Sequence, residues 1–174
     1  MAKSDYFATM FRNNKFIEGE TSSVDMSHCS KAVMEKIVKF LFSGAVTCED
    51  LSLAQLLELT HVSEMMLLNK FKDKVEDYLK LVVYGRSKIS VNLSELILGL
   101  KIVDTFKLAY LESLIMLEVC RNLKDIPDDV KSSDSFKTLP FHLIIMIVTC
   151  WIAIRPPPCT LALHCSAQYE LILP

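Results

Sequence analysis

Residues 24–59 read VDMSHCSKAVMEKIVKFLFSGAVTCEDLSLAQLLEL, and the reading of this stretch decides the fold. Ser23, Val24, Asp25 and Met26 have the pattern of a short strand. Ser27 and Ser30 come next, and a short side-chain oxygen at such a place accepts from the free N–H groups of a helix start. Val33, Ile37, Phe40 and Leu41 then recur at i, i+4, i+7 and i+8, which paints one face of a helix over residues 30–42. Gly44 stands where a helix C-terminal cap is expected. Residues 45–48 form a brief extended link. Ser52 with Gln55 spells a capping box, and Leu53, Leu56 and Leu57 carry the helix over residues 52–60.

Upstream, residues 1–11 (with SDYFATMF at 4–11) look like the end of a helix, and residues 13–22 read as a polar loop with Asn13, Asn14 and Gly19 as turn formers. Downstream, Leu68, Phe71, Val75, Tyr78 and Leu79 fall on one stripe of a helix over 67–81. Lys70, Lys72, Asp73, Glu76 and Asp77 take its wet side. Gly85 closes this part. Asn92 with Glu95 starts another helix, apolar at 93, 96, 97, 100 and 103. The stretch 108–123 gives Leu111, Leu114, Ile115, Leu117 and Val119. The spacing predicts an antiparallel pair joined at residues 105–107.

The totals bound the class. A chain of 174 residues with 51% hydrophobic residues fills a sizeable core and does not have the composition of a disordered chain. A net charge of −2 advertises no nucleic acid partner. The six cysteines make no C-x-x-C pair, and residues 1–15 are polar and mixed rather than a secretory signal. Free thiols in a reducing compartment, cytoplasmic or nuclear, are expected. The most apolar run, residues 143–154 (LIIMIVTCWIAI), stops at Arg155 and three prolines, short of the roughly 20 residues of a membrane span. It is expected to be a buried helix and the chain is expected to have no membrane partner.

The order strand, helix ending in FLFSG, link, Leu-rich helix resembles the BTB/POZ fold, and SDYFATMF agrees with that family's serine, aromatic and F-x-x-M-F text. Residues 122–144 (NLKDIPDDVKSSDSFKTLPFHLI) resemble the BACK domain that often follows BTB, with Ser133, Phe136 and Leu139 in its S-x-x-F-x-x-L pattern. The resemblance is to the BTB-BACK, Kelch-like adaptor family. It implies a mainly α (α+β) fold with a small β-sheet and helical hairpins. It divides the chain into a partial BTB/POZ domain over 1–81, a BACK-like region over 88–154 and an atypical tail over 155–174. It also implies that the module is truncated at both ends, without its first strands and most of its first helix.

No bond chemistry is legible. His28-Cys29 and His164-Cys165 are sequence neighbours, which seldom face each other, and no glycine loop or orienting third group stands near. Cys29, Cys48 and His61 match no zinc-ligand spacing. No phosphate-cradling glycine motif is present. The acidic clusters at Glu18 and Glu20, at Glu49 and Asp50, and at Asp125, Asp128 and Asp129 read as solvated faces. No enzyme, catalytic residue, metal or cofactor is therefore expected. By the resemblance, Phe16-Ile17-Glu18 matches the hydrophobic-x-Glu motif with which BTB adaptors contact the cullin-3 scaffold of a ubiquitin ligase. Phe16 would fill a pocket and Glu18 would take a charge-assisted hydrogen bond. The same resemblance implies further cullin-3 contact along residues 93–119, and a homodimer or heterodimer through BTB. The alternatives are an oligomerisation or regulatory protein without a ligase role, and a truncated competitor of fuller relatives.

Overall fold

The computed structural model describes residues 4–12, 20–21, 23–122 and 134–154. Among the described residues the helices run in this order: α1 (Asp5–Arg12), α2 (Lys31–Ser43), α3 (Leu53–Met65), α4 (Asn69–Val83), α5 (Leu93–Phe106), α6 (Ala109–Asn122), α7 (Asp134–Lys137) and α8 (Phe141–Ile154). The mainly helical class expected from the sequence is what forms. The small sheet is not: among the described residues none lies in a strand. Ser23 to Met26 carries no regular secondary structure, because strand pairing needs a ladder partner and no described segment supplies one. Instead Asp25 Oδ1 accepts from Ser27 N at 2.9 Å, and Met26 O accepts from Cys29 N. These turns hand the chain to α2. In the expected polar loop, Glu20 and Thr21 are helical and exposed, and residues 13–19 and 22 lie outside the described part.

The caps explain the helix boundaries. Gly44, at φ 72°, ends α2 with its N–H on Phe40 O, and that left-handed backbone is where a side chain is strained. Ser52 and Gln55 form the reciprocal capping box of α3, and Asn92 and Glu95 form that of α5. Ser30 occupies the N-cap of α2, but its hydroxyl makes no capping bond and is buried without a partner. The reason lies in another helix. The Glu58 carboxylate on α3 accepts from Ser30 N, so the carboxylate, not the serine oxygen, anchors this helix start.

α3 runs five residues beyond the span expected from its leucines, and Val62 and Ser63 in the added part are buried. It packs on α2, α4 and α5. Leu53, Leu56, Leu57, Leu59 and Val62 are buried, and so are Thr60 and Ser63. These two hydroxyls donate to Leu56 O and Leu59 O, so neither is left unpaired in the core. The end of α3 also holds α1. Ser4 is buried; its hydroxyl donates to Met66 O at 3.0 Å and accepts from Phe7 N at 3.5 Å. The serine of SDYFATMF thus caps one helix and satisfies the carbonyl end of another.

One apolar cluster runs from Val33 and Ile37 on α2 through α3, α4, α5 and α6 to Leu143 and Ile147 on α8. The crossing of α3, α5 and α6 depends on Gly99. A Cβ there would stand 3.2 Å from Leu53 Cδ2 and 3.4 Å from Ile115 Cδ1. α7 lies on α5, with Lys101 Nζ donating to Thr138 Oγ1 at 2.8 Å, and Leu139 is buried beside it. The expectation that residues 143–154 are buried is corrected. Among its described side chains Leu143 and Ile147 are fully buried and Ile144 and Cys150 half-buried, while Phe141 (76% exposed), Ile145, Met146, Val148 and Ile152 (63%) stand in the open. The helix lies against α6 alone among its main neighbours, so one stripe is covered and the others are not. No described helix is long and apolar enough to cross a membrane.

Two kinds of cap substitution check these roles by urea unfolding. Ser52→Ala, which breaks a working capping box, should cost about 1 kcal/mol, whereas Ser30→Ala should change stability by less than about 0.5 kcal/mol because its hydroxyl bonds to nothing. Ser4→Ala, which removes a cap and leaves the Met66 carbonyl buried without its donor, should cost about 1–3 kcal/mol.

Candidate interaction surface

Phe16 and Glu18, the residues singled out from the sequence, lie outside the described residues, as do His164 and Cys165. The other chemistry-bearing residues are separated. His28 is exposed on the turn before α2, beside Cys29. Burial first, then the nearby Glu58 carboxylate, pushes the Cys29 thiol above its ordinary value, which leaves it a poor nucleophile. Cys48 is buried in the link after α2, and burial likewise raises it. His61, on α3, stacks on Phe106 with ring centroids 4.2 Å apart. Among the described residues no group of three or more His, Cys, Asp or Glu could hold a metal ion.

The helices do build an exposed face. α4 and α6 pack side by side. The outer stripe of α4 carries Asp77, Lys80, Leu81 and Tyr84, at i, i+3, i+4 and i+7. The outer stripe of α6 carries Tyr110, Ser113, Leu117 and Arg121, at i, i+3, i+7 and i+11. Two cation–aromatic contacts join the stripes. Lys80 Nζ lies 5.7 Å from the centre of the Tyr110 ring, and the Arg121 guanidinium lies 5.8 Å from that of Tyr84. Asp77 holds Lys80 at 2.9 Å and Glu118 holds Arg121 at 3.3 Å, so both cations have fixed positions. The Asp77 hydrogen bond is the first cause that raises the Lys80 ammonium above its ordinary value. Tyrosine, arginine and leucine on rigid helices have the composition of protein-binding surfaces. The sequence pattern assigns most of residues 93–119 to the core, and Leu96, Ile97, Leu100, Leu111 and Ile115 are buried as expected. It misses Tyr84 and Tyr110, because nothing within either helix shows that the two stripes adjoin.

A second exposed element is the end of α2. Val38 and Phe42 share its outer stripe, and Phe42 is 87% exposed. Its inner ring neighbour, Phe40, packs on Phe71 of α4 with centroids 4.5 Å apart. Phe40 and Phe71, with Leu67 and Lys70, line a shallow cavity of about 460 Å³ at the α3–α4 turn. The link behind α2 is clamped: Lys36 Nζ donates to both Asp50 oxygens, at 2.6 and 2.8 Å. That bond is the first cause that holds the Asp50 carboxyl below the usual aspartate range.

Known families add to this geometry. The family model of the BTB/POZ domain matches residues 1–81, the span that holds α1 to α4 up to Leu81. A BTB/POZ domain over that span is thus supported. BTB/POZ domains are in general interaction modules that mediate dimerisation and partner binding, not enzymes. No curated protein and no solved structure matches the chain.

The Asp50–Lys36 clamp makes a pH prediction. A carboxyl whose folded value is lowered adds stability that is present above the ordinary aspartate range. That stability is lost as pH falls through the lowered folded value. Urea midpoints measured from neutral to acid pH should therefore converge for the natural chain and Asp50→Asn at the acid end. At neutral pH the natural chain should be the more stable, by a margin that shrinks in high salt.

Proposed function

We propose that this chain is a protein-docking adaptor of the BTB-BACK kind, and that its partner is cullin-3, held through Phe16 and Glu18. The observation that supports the reading is the match of a BTB/POZ domain to residues 1–81, a span whose sequence contains the Phe16-x-Glu18 text. An apolar ring anchors the contact and a carboxylate fixes its direction. The function is then proximity: the adaptor brings a second protein close to a ligase and itself transforms nothing. Residues 88–154 are the BACK-like part, and the α4–α6 face is the surface it forms together with the BTB part. Association through the BTB part gives a homodimer or a heterodimer. The four cysteines among the described residues stand as free thiols, which agrees with a cytoplasmic or nuclear setting.

Capture of the purified chain on immobilised cullin-3 tests this. The natural chain should be retained, and Phe16→Ala and Glu18→Ala should each weaken retention by about tenfold or more. Equal retention of both variants sinks the loop assignment. No retention of the natural chain, with dimers seen by size measurement, would put an oligomerisation role without a ligase in its place.

A further inference from the structure

α8 is apolar on two opposite sides. Leu143, Ile147 and Cys150 recur at i, i+4 and i+7 and turn toward the core beside α6. Phe141, Ile145, Val148 and Ile152 recur at i, i+4, i+7 and i+11, roughly half a turn round the helix from that inward stripe, and all four stand exposed. No Asp, Glu, Lys or Arg occurs between residues 141 and 154. A helix that is apolar on both sides belongs between two layers, and among the described residues one of its sides is covered. The polar side chains that flank the outer stripe are already engaged. Thr149 Oγ1 donates to Ile145 O at 2.8 Å, and His142 Nε2 lies 3.6 Å from Asp104 Oδ1 on α5. What covers the stripe therefore has to offer apolar surface rather than hydrogen bonds or charge.

We infer that the outer stripe of α8 is a docking site whose occupant is this chain's own segment 159–173, which lies outside the described residues. That segment is tethered to α8 itself. Arg155 and three prolines follow Ile154, and a proline, with no N–H and a fixed φ, does not carry a helix on. Residues 159–173 read CTLALHCSAQYELIL. Leu161, Ala162 and Leu163 make one apolar group, Leu171, Ile172 and Leu173 make another, and Glu170 is the one charged side chain. The segment thus matches the stripe in kind, and bringing the two together buries no run of charges. Its reach suffices. α8 has 14 residues and is about 21 Å long, whereas residues 159–173 span up to about 50 Å when extended. Area selects the tethered segment over a second copy of the chain. The four side chains offer roughly 400 Å², and each partner of a stable dimer buries about 800 Å². A tethered segment needs less surface, because its short linker holds it at an effective concentration of about millimolar.

The test uses the full chain, purified and dilute, with Phe141 replaced by the photo-cross-linker p-benzoylphenylalanine. Phe141 lies at the end of α8 farthest from residue 155, and its exposed ring can be changed without disturbing the core. After irradiation the expected product has the mass of one chain, and its digest joins position 141 to a residue of 159–173. Leu161→Asp, Leu163→Asp, Leu171→Asp and Leu173→Asp together should lower the yield of that product at least fivefold. The same label in place of Tyr110, which is exposed on α6, should give none of it. A product of twice the mass that joins two α8 helices overturns the inference in favour of a second copy. No protein cross-link from position 141 means an open stripe and overturns it too. So does an undiminished yield from the four-Asp variant, or an equal yield from the Tyr110 position, since either means contact without a site.

Discussion

Burial of α3 on nearly every side is the constraint on which the rest of the molecule depends. A helix in contact with α2, α4, α5 and the start of α1 can present no continuous wet face. Its polar positions therefore answer to the core. Thr60 and Ser63 turn their hydroxyls back onto their own helix, and Glu58 takes a backbone N–H from the start of α2. Each solution removes an unpaired polar group and takes up no further space. The helices around α3 are then free to be amphipathic, and their outer stripes face the open.

The same packing erases any seam between the BTB/POZ span and the helices C-terminal to it. Gly99 lets α5 approach α3 and α6 closely, and the apolar cluster passes from Leu53 and Leu57 to Leu100 and Ile115 without interruption. Because α4 and α6 are drawn together by this core, Tyr84 meets Arg121 and Lys80 meets Tyr110. A face that mixes aromatic and cationic groups thus arises from two spans that the sequence treats separately. α8 is the counter-example: it has the most apolar sequence of all the described helices, yet only one stripe is covered. Hydropathy states what a helix would gain by burial, and the helices packed around it decide how much is gained.

What the sequence determined by itself is what operates within about four residues. The stripe of α2, the Gly44 cap, the Ser52–Gln55 and Asn92–Glu95 boxes and the hairpin of α5 and α6 rest on contacts between near neighbours, so their residue types announce them. A strand needs another strand, and for that reason Ser23 to Met26 could carry the right pattern and remain unpaired. Ser30 likewise has cap chemistry, and a carboxylate from α3 decided that it would not be used. The joining of Ser4 to Met66 and of the α4 stripe to the α6 stripe was decided only by the tertiary structure, because each pairs residues that no local spacing relates.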